Sequence, residues 1–252
     1  MSELVYGRNP VYECLRAGRR SILRLLIAQN SKETGTLGEI VRLARHKRLS
    51  FQRVDRHQLD RLVPNVNHQG VVAEVSAYPY VEIAEMLAIA RERAQSPLLL
   101  LLDCLQDPQN LGTLLRTAQV VGAHGVVLLE RRAASITPAV VNASSGACEH
   151  LRVAQVVNLV QTMERLKAEN LWIAGLEDVP EAQLLWNADL RGPIALVVGS
   201  EGSGIRRLVR ERCDFMIRLP MFGQINSLNA AVAGSIALYE ILRQRGMQNE
   251  HL

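Results

Sequence analysis

Three long apolar runs in this chain each end in a polar cluster. Pro97–Asp103 leads to Asn110-Leu-Gly112-Thr-Leu-Leu-Arg116. Ile194–Val198 runs into Gly199-Ser-Glu201-Gly202-Ser-Gly204, and Phe215–Leu219 runs into Pro-Met-Phe-Gly-Gln-Ile-Asn-Ser227-Leu228-Asn229. Uninterrupted Leu, Val and Ile suit parallel strands buried on both faces. In such sheets ligands bind outside the carboxyl ends of the strands. The three clusters therefore predict one composite site.

The rest of the chain supports this α/β reading. Apolar patterns predict strands at Gly125–Leu129, Val153–Val156 and Leu171–Leu176, alternating with helices at Leu111–Val121, Ile136–Ser144, Leu159–Glu169, Ile205–Arg212 and Leu228–Arg245. Ahead of this lies a shorter α/β alternation. Helices are expected from Asn9 to Arg16, Leu37 to Lys47 and Gln58 to Leu62, with strands at Ile22–Ala28, Ser50–Val54 and Gly70–Val75. An amphipathic helix within Val81–Gln95 could join the halves. The expected domains are residues 1–77, a linker helix over 78–95, and residues 96–252.

Charge divides the chain in the same place. Residues 1–77 hold 13 Lys/Arg against 7 Asp/Glu, and residues 78–252 hold 16 against 18. A basic first domain suits a polyanion partner. A plain solvated surface in an Arg-rich chain fits the charge equally well. Hydrophobic residues make up 48% of the chain, enough for a real core. No apolar run reaches the roughly 20 residues of a membrane span. The first residues lack the apolar core of a secretory signal, so the expected compartment is the cytoplasm. The four cysteines are scattered without metal-ligand spacing, so buried free thiols and no metal are expected.

Each cluster has a plain structural reading beside its chemical one. Asn110 would serve as a helix N-cap, and so would Asn226 or Ser227. Gly199–Gly204 could be a tight strand-to-helix turn, but a turn does not require Glu201. The glycine order is neither that of a dinucleotide fold nor that of a phosphate-binding Walker loop. Arg116 borders the apolar face of its helix. The small residues Ala230, Ala231, Ala233, Gly234, Ser235 and Ala237 let the last helix approach a neighbour closely.

Taken in order, N-x-G-x-x-x-R, L-V-V-G-S-E-G-x-G-I and L-P-M-x(5)-S-L-N-A-A-V-A resemble the SpoU-type RNA 2′-O-ribose methyltransferases of the SPOUT superfamily. Tyr6–Val11 and His68–Ala73 resemble the substrate-binding domain of its two-domain members, a subgroup similar to the bacterial 23S rRNA guanosine 2′-O-methyltransferases. The resemblance implies a C-terminal parallel-sheet domain with a deep trefoil knot, and a small RNA-binding domain before it. It implies S-adenosylmethionine as cofactor, held at Gly199, Leu219 and Leu228. It implies a catalytic set of Asn110, Arg116, Glu201, Ser227 and Asn229, and a homodimer with its site near the interface. The segment Phe222–Asn226 is this chain's own variant. A tRNA substrate, or a non-catalytic RNA-binding role, remains open at this level.

Overall fold

The computed structural model describes residues 2–224 and 227–246. The chain forms two packing units. One is Met1–Pro79 with Ile136–His150, and the other is Tyr80–Ser135 with Leu151–Leu252. This division cuts across chain order, because Ile136–His150 packs with the first unit although more than 50 residues of the second unit precede it.

The first unit contains β1 (Ser2–Tyr6), α1 (Arg8–Ala17), β2 (Ile22–Ala28), α2 (Gly35–His46), β3 (Gln52–Val54), α3 (Arg56–Leu62) and β4 (Val71–Ser76). Its sheet order is β1-β4-β2-β3. β4 is antiparallel to both neighbours, whereas β2 and β3 run parallel. Leu26, Ala28, Val54, Leu59, Val63 and Val72 form one core cluster here. Gly18 ends α1 in the left-handed region, at φ 63°, where its N–H reaches the Cys14 carbonyl at 3.2 Å. A residue without Cβ takes that conformation at little cost.

Ile136–His150 joins this unit through a charged centre. Fully buried Glu149 accepts from Arg20 Nη1 at 3.1 Å. Arg20 also pairs with Glu3 and donates to the Ser76 carbonyl. The Tyr78 hydroxyl donates to the Cys148 carbonyl at 2.8 Å, and the guanidinium of Arg20 lies 5.8 Å from the Tyr78 ring centre. Local sequence carries no sign of this closure, since Arg20 and Glu149 are 129 positions apart.

In chain order the remaining elements are α4 (Ile83–Glu92), β5 (Leu98–Leu102), α5 (Pro108–Val120), β6 (Gly125–Leu129), α6 (Pro138–Ala143), β7 (Val153–Val156), α7 (Leu159–Ala168), β8 (Trp172–Leu176), β9 (Gln183–Leu184), β10 (Ile194–Val198), α8 (Arg207–Arg210), β11 (Phe215–Arg218) and α9 (Ala230–Gln244). Apart from α6, these build the second unit. Its sheet order is β7-β6-β5-β10-β8-β11-β9, and every pairing is parallel. All residues of β5, β6 and β10 are buried, as their unbroken apolar sequences require. Leu99, Leu101, Val127, Ala195 and Val197 share a core cluster with Met86, Met163 and Leu166. α5 packs on α9, where a Cβ on Gly234 would sit 2.7 Å from Leu114 Cδ2. The expected close approach of the last helix is realised at that glycine.

Several local expectations need correction. β1 and the two-residue β9 have no distinct apolar signature and are supplied by pairing with β4 and β11. Asn110 does not cap α5. Pro108 starts the helix, and the Asp107 carboxylate accepts from the N–H groups of Gln109 and Asn110 at 3.3 and 3.0 Å. Ser227 does not cap α9 either, because Asn229 Oδ1 takes the N–H groups of Ala231 and Val232. Asn226 lies outside the described residues. α8 is shorter than the predicted Ile205–Arg212, since the N–H groups of Ile205 and Arg206 bond to the carboxylates of Glu177 and Asp103, which directly follow β8 and β5. Cys14 and Cys148 are buried free thiols, but Cys104 and Cys213 are only half-buried. Burial pushes the Cys148 thiol up to about 12.

Candidate active site

The carboxyl ends of β8, β10 and β11 open into one cavity of about 560 Å³. β8 contributes Glu177 and Asp178, β10 contributes Gly199–Gly204, and β11 contributes Arg218, Leu219 and Met221. The fourth wall is the start of α9, with Ser227, Leu228, Asn229 and Ala233. The order of strands makes this possible, because β10 inserts between β5 and β8 and brings its glycine loop to the middle of the sheet edge.

The glycine loop is built for close backbone approach. Ser200 and Gly204 exchange two N–H···O bonds, at 3.1 and 3.0 Å. A Cβ on Gly199 would stand 2.2 Å from the Gly204 carbonyl carbon, and one on Gly204 would stand 1.9 Å from Glu177 Oε1. Neither position has room for a side chain. Two carboxylates pin the far end of the loop. Glu177 Oε1 accepts from Ile205 N at 3.1 Å. Buried Asp103, at the end of β5, accepts from Arg206 N at 2.8 Å and from its Nε at 2.7 Å. That bond to Asp103 holds the Arg206 pKa above its ordinary value. Sequence reading missed Glu177, Asp103 and Arg206. The available signal was a carboxylate directly after each apolar strand, but the partners lie 28 and 103 positions away.

Asn229 links the three clusters. Its Oδ1 caps α9, which frees its Nδ2 to point the other way. That group donates to Asn110 Oδ1 at 2.9 Å and also to Glu201 Oε1. Asn110 is buried, whereas Glu201 is exposed. Ser227, Gly199, Leu219 and Leu228 line the same cavity. Arg116 is the one candidate outside this arrangement. It sits on the exposed side of α5, six residues past Asn110, or about 9 Å along the axis and 120° around it. Among the described residues no group of three or more His, Cys, Asp or Glu could hold a metal ion. None of the described helices is long and apolar enough to cross a membrane.

A parallel sheet whose strand ends surround a glycine-lined cavity, with converging amides and a carboxylate at its rim, defines a small-molecule site with polar groups placed for a second substrate. Residues 97–239 match the SpoU rRNA Methylase family, and residues 4–81 match the RNA 2′-O ribose methyltransferase substrate-binding family. The chain belongs to the SpoU methyltransferases and is an RNA methyltransferase with its own substrate-binding module. It is 43% identical over 248 residues to the putative TrmH family tRNA/rRNA methyltransferase YacO of Bacillus subtilis, which covers 98% of each chain. Among solved structures, the SpoU methyltransferase AviRb of Streptomyces viridochromogenes, in complex with the cofactor AdoMet, matches with a TM-score of 0.80 at 25% identity, over 97% of this chain and 90% of that one. The TrmH/SpoU tRNA modifying enzyme of A. aeolicus matches with a TM-score of 0.55 at 28% identity, over 65% of this chain and 85% of that one.

Proposed function

We propose that this protein methylates the ribose 2′-hydroxyl of a guanosine in 23S rRNA, in the cytoplasm, as a homodimer. The observation that carries the reading is the bonded trio of Asn110, Asn229 and Glu201 at the rim of the glycine-lined cavity. S-adenosylmethionine is the cofactor. The cavity fits it, since its volume lies within the usual range of about 300–1,000 Å³ for small-molecule sites. Gly199–Gly204, Leu219 and Leu228 line it and can present backbone groups to a ligand, and Glu177 and Asp178 add carboxylates for its positive or hydroxyl groups. When bound, this cofactor supplies a methyl group activated by a sulfonium.

The chain's own residues then position the ribose. Glu201 Oε1 is held by Asn229, and Oε2 has no hydrogen bond among the described residues, so it can accept from a ribose hydroxyl. Ser227 can donate or accept beside it. Fixed geometry of this kind supplies much of a barrier reduction without any change of charge. A guanidinium keeps its charge in water, so the role suited to Arg116, which lies outside its own chain's cavity, is stabilising the forming alkoxide in the site of the second copy rather than removing the proton. Arg116→Ala is expected to abolish transfer while circular dichroism stays unchanged.

Val120 on α5, with Val232 and Tyr239 on α9, leave apolar side chains 58, 47 and 51% exposed beside the packed α5–α9 pair. We assign that face to the second copy, and Tyr239→Glu should give a monomer in sedimentation. The basic first module, whose residues 4–81 match the RNA substrate-binding family, favours a large rRNA substrate. The crowding of three strand-end loops around one cavity accords with a trefoil-knotted chain. The deciding experiment incubates the protein with methyl-labelled S-adenosylmethionine and either rRNA or tRNA, and maps the ribose methylation. Label at one 23S guanosine is expected. Label confined to tRNA would overturn the substrate, and label in no RNA would overturn the reading.

A further inference from the structure

The arginines of the first unit differ in what they already hold. Arg16, Arg20, Arg24, Arg42, Arg45 and Arg53 each pair with a carboxylate at 3.9 Å or less. Arg8 forms no ion pair among the described residues. Instead Gln69 holds it at two points. Arg8 N donates to Gln69 Oε1 at 2.9 Å, and Arg8 Nε donates to the Gln69 carbonyl at 3.2 Å. Both terminal guanidinium nitrogens remain without a partner among the described residues, and so does the Gln69 amide nitrogen.

The support behind this pair is rigid. Gln69 is in the left-handed region at φ 51°, followed by Gly70 at φ 80°. The His68 ring, 1% exposed, anchors the turn from below. Its Nδ1 accepts from Gly70 N at 3.0 Å, which leaves Nε2 to donate to Asp60 Oδ1 at 2.9 Å. On the other side, Asn142 Nδ2 donates to the Tyr6 carbonyl at 3.3 Å, and a Cβ on Gly7 would come within 3.2 Å of that nitrogen. A non-glycine residue held at positive φ costs of order 1–3 kcal/mol and persists where surroundings enforce it. Here the enforced turn aims a guanidinium that no acid among the described residues neutralises. The whole pair lies inside residues 4–81, the span that matches the RNA substrate-binding family.

We infer that Arg8, Gln69 and Asn142 form a ledge for an unpaired stretch of the substrate RNA, with a phosphate on the Arg8 fork and base edges on the two amides. The inference rests on the methyltransferase reading and names where the module grips its substrate. A pre-aimed guanidinium fits two phosphate oxygens at once, which a lysine cannot do. Amide edges can read bases only where the strand is unpaired. The acid-paired arginines give up a neutralising partner before they can reach a phosphate, so they contribute less.

The test measures binding of transcribed 23S rRNA over a range of salt, together with KM, kcat and cofactor affinity, on the full chain. Arg8→Ala is expected to weaken rRNA binding about tenfold and to lower the salt slope by about one. Arg8→Lys should restore the slope but not the affinity. Gln69→Glu keeps the acceptor for Arg8 N and places a carboxylate beside the guanidinium, so it should weaken binding as much as Arg8→Ala. In each case kcat at saturating RNA and cofactor affinity stay at the wild-type level, and Arg42→Ala changes rRNA affinity less than twofold. Wild-type rRNA affinity in folded Arg8→Ala, or loss of kcat rather than KM, would overturn the ledge. Failure of the wild-type protein to methylate any RNA would instead overturn the reading beneath it.

Discussion

Glu149 and Glu201 are the same side chain put to opposite uses. Glu149 is fully buried in the first unit, with one oxygen bonded to Arg20 and the other buried without a hydrogen-bond partner among the described residues. Glu201 is exposed at the rim of the cavity in the second unit and holds one bond, from Asn229. The first carboxylate is committed to protein. Desolvation raises its pKa, against the pull of Arg20. The second keeps an oxygen available to whatever arrives. A carboxylate sealed in the interior beside a cation can act only on the fold, whereas one left open at the surface is available for chemistry.

The contrast can be broken by removing each group in turn. The largest effect should come from Glu201→Gln. Turnover should fall about 10³-fold, comparable to the loss of one oriented stabilising group, with stability changed by less than about 0.5 kcal/mol. Single-turnover methyl transfer and urea denaturation would check the two halves of that statement. Glu149→Ala should do the reverse. It strips Arg20 of its buried partner and should cost about 3 kcal/mol of stability. Turnover per folded molecule should stay at the wild-type level at a temperature where the variant remains folded. Equal damage to rate by both substitutions would erase the distinction.

A smaller effect sharpens the picture within the second unit. His124 is 4% exposed, its Nδ1 accepts from Leu98 N at 3.0 Å, and its other ring nitrogen bonds to Gln95. Burial, reinforced by Arg93 and Arg245, lowers its pKa from 6.5 to about 4. The folded protein therefore resists a proton that the unfolded chain accepts. Stability should fall as pH drops from 6.5 towards 4, by about 2 kcal/mol at pH 5. Denaturation midpoints measured across that range in the wild type and in His124→Gln would test it, since the variant should lose that slope. This histidine is buried like Glu149, so turnover should follow only the fraction folded.

Much of the sheet was legible because its signals are local. The bounds of β2, β6, β7 and β10 coincide with apolar runs bracketed by polar or turn residues. The caps were harder to read. Asp107 and Asn110 are both good cap residues, and Pro108 at the first helical position settles the choice in favour of Asp107. The motif residues that converge on the cavity were legible as clusters, but their bonding was not. Asn229 could have been only a helix cap. Its second role depends on Asn110, 119 positions earlier, and on Glu201, 28 positions earlier. Arg116 falls on the same short motif as Asn110 yet faces elsewhere, since a separation of six residues does not repeat on one helical face.

Unbroken aliphatic runs and their spacing were enough to dictate a buried parallel sheet with its polar loops on one edge, because burial on both faces tolerates no other pattern. The uneven spread of charge marked a basic module ahead of it. The chain order of those features does not contain the docking of Ile136–His150 beside Arg20, the clasp of Asp103 on Arg206, or the sharing of Asn229 between a helix end and a carboxylate. Each of these depends on polar atoms brought to about 3 Å across long stretches of chain. Only packing of the folded backbone sets such distances.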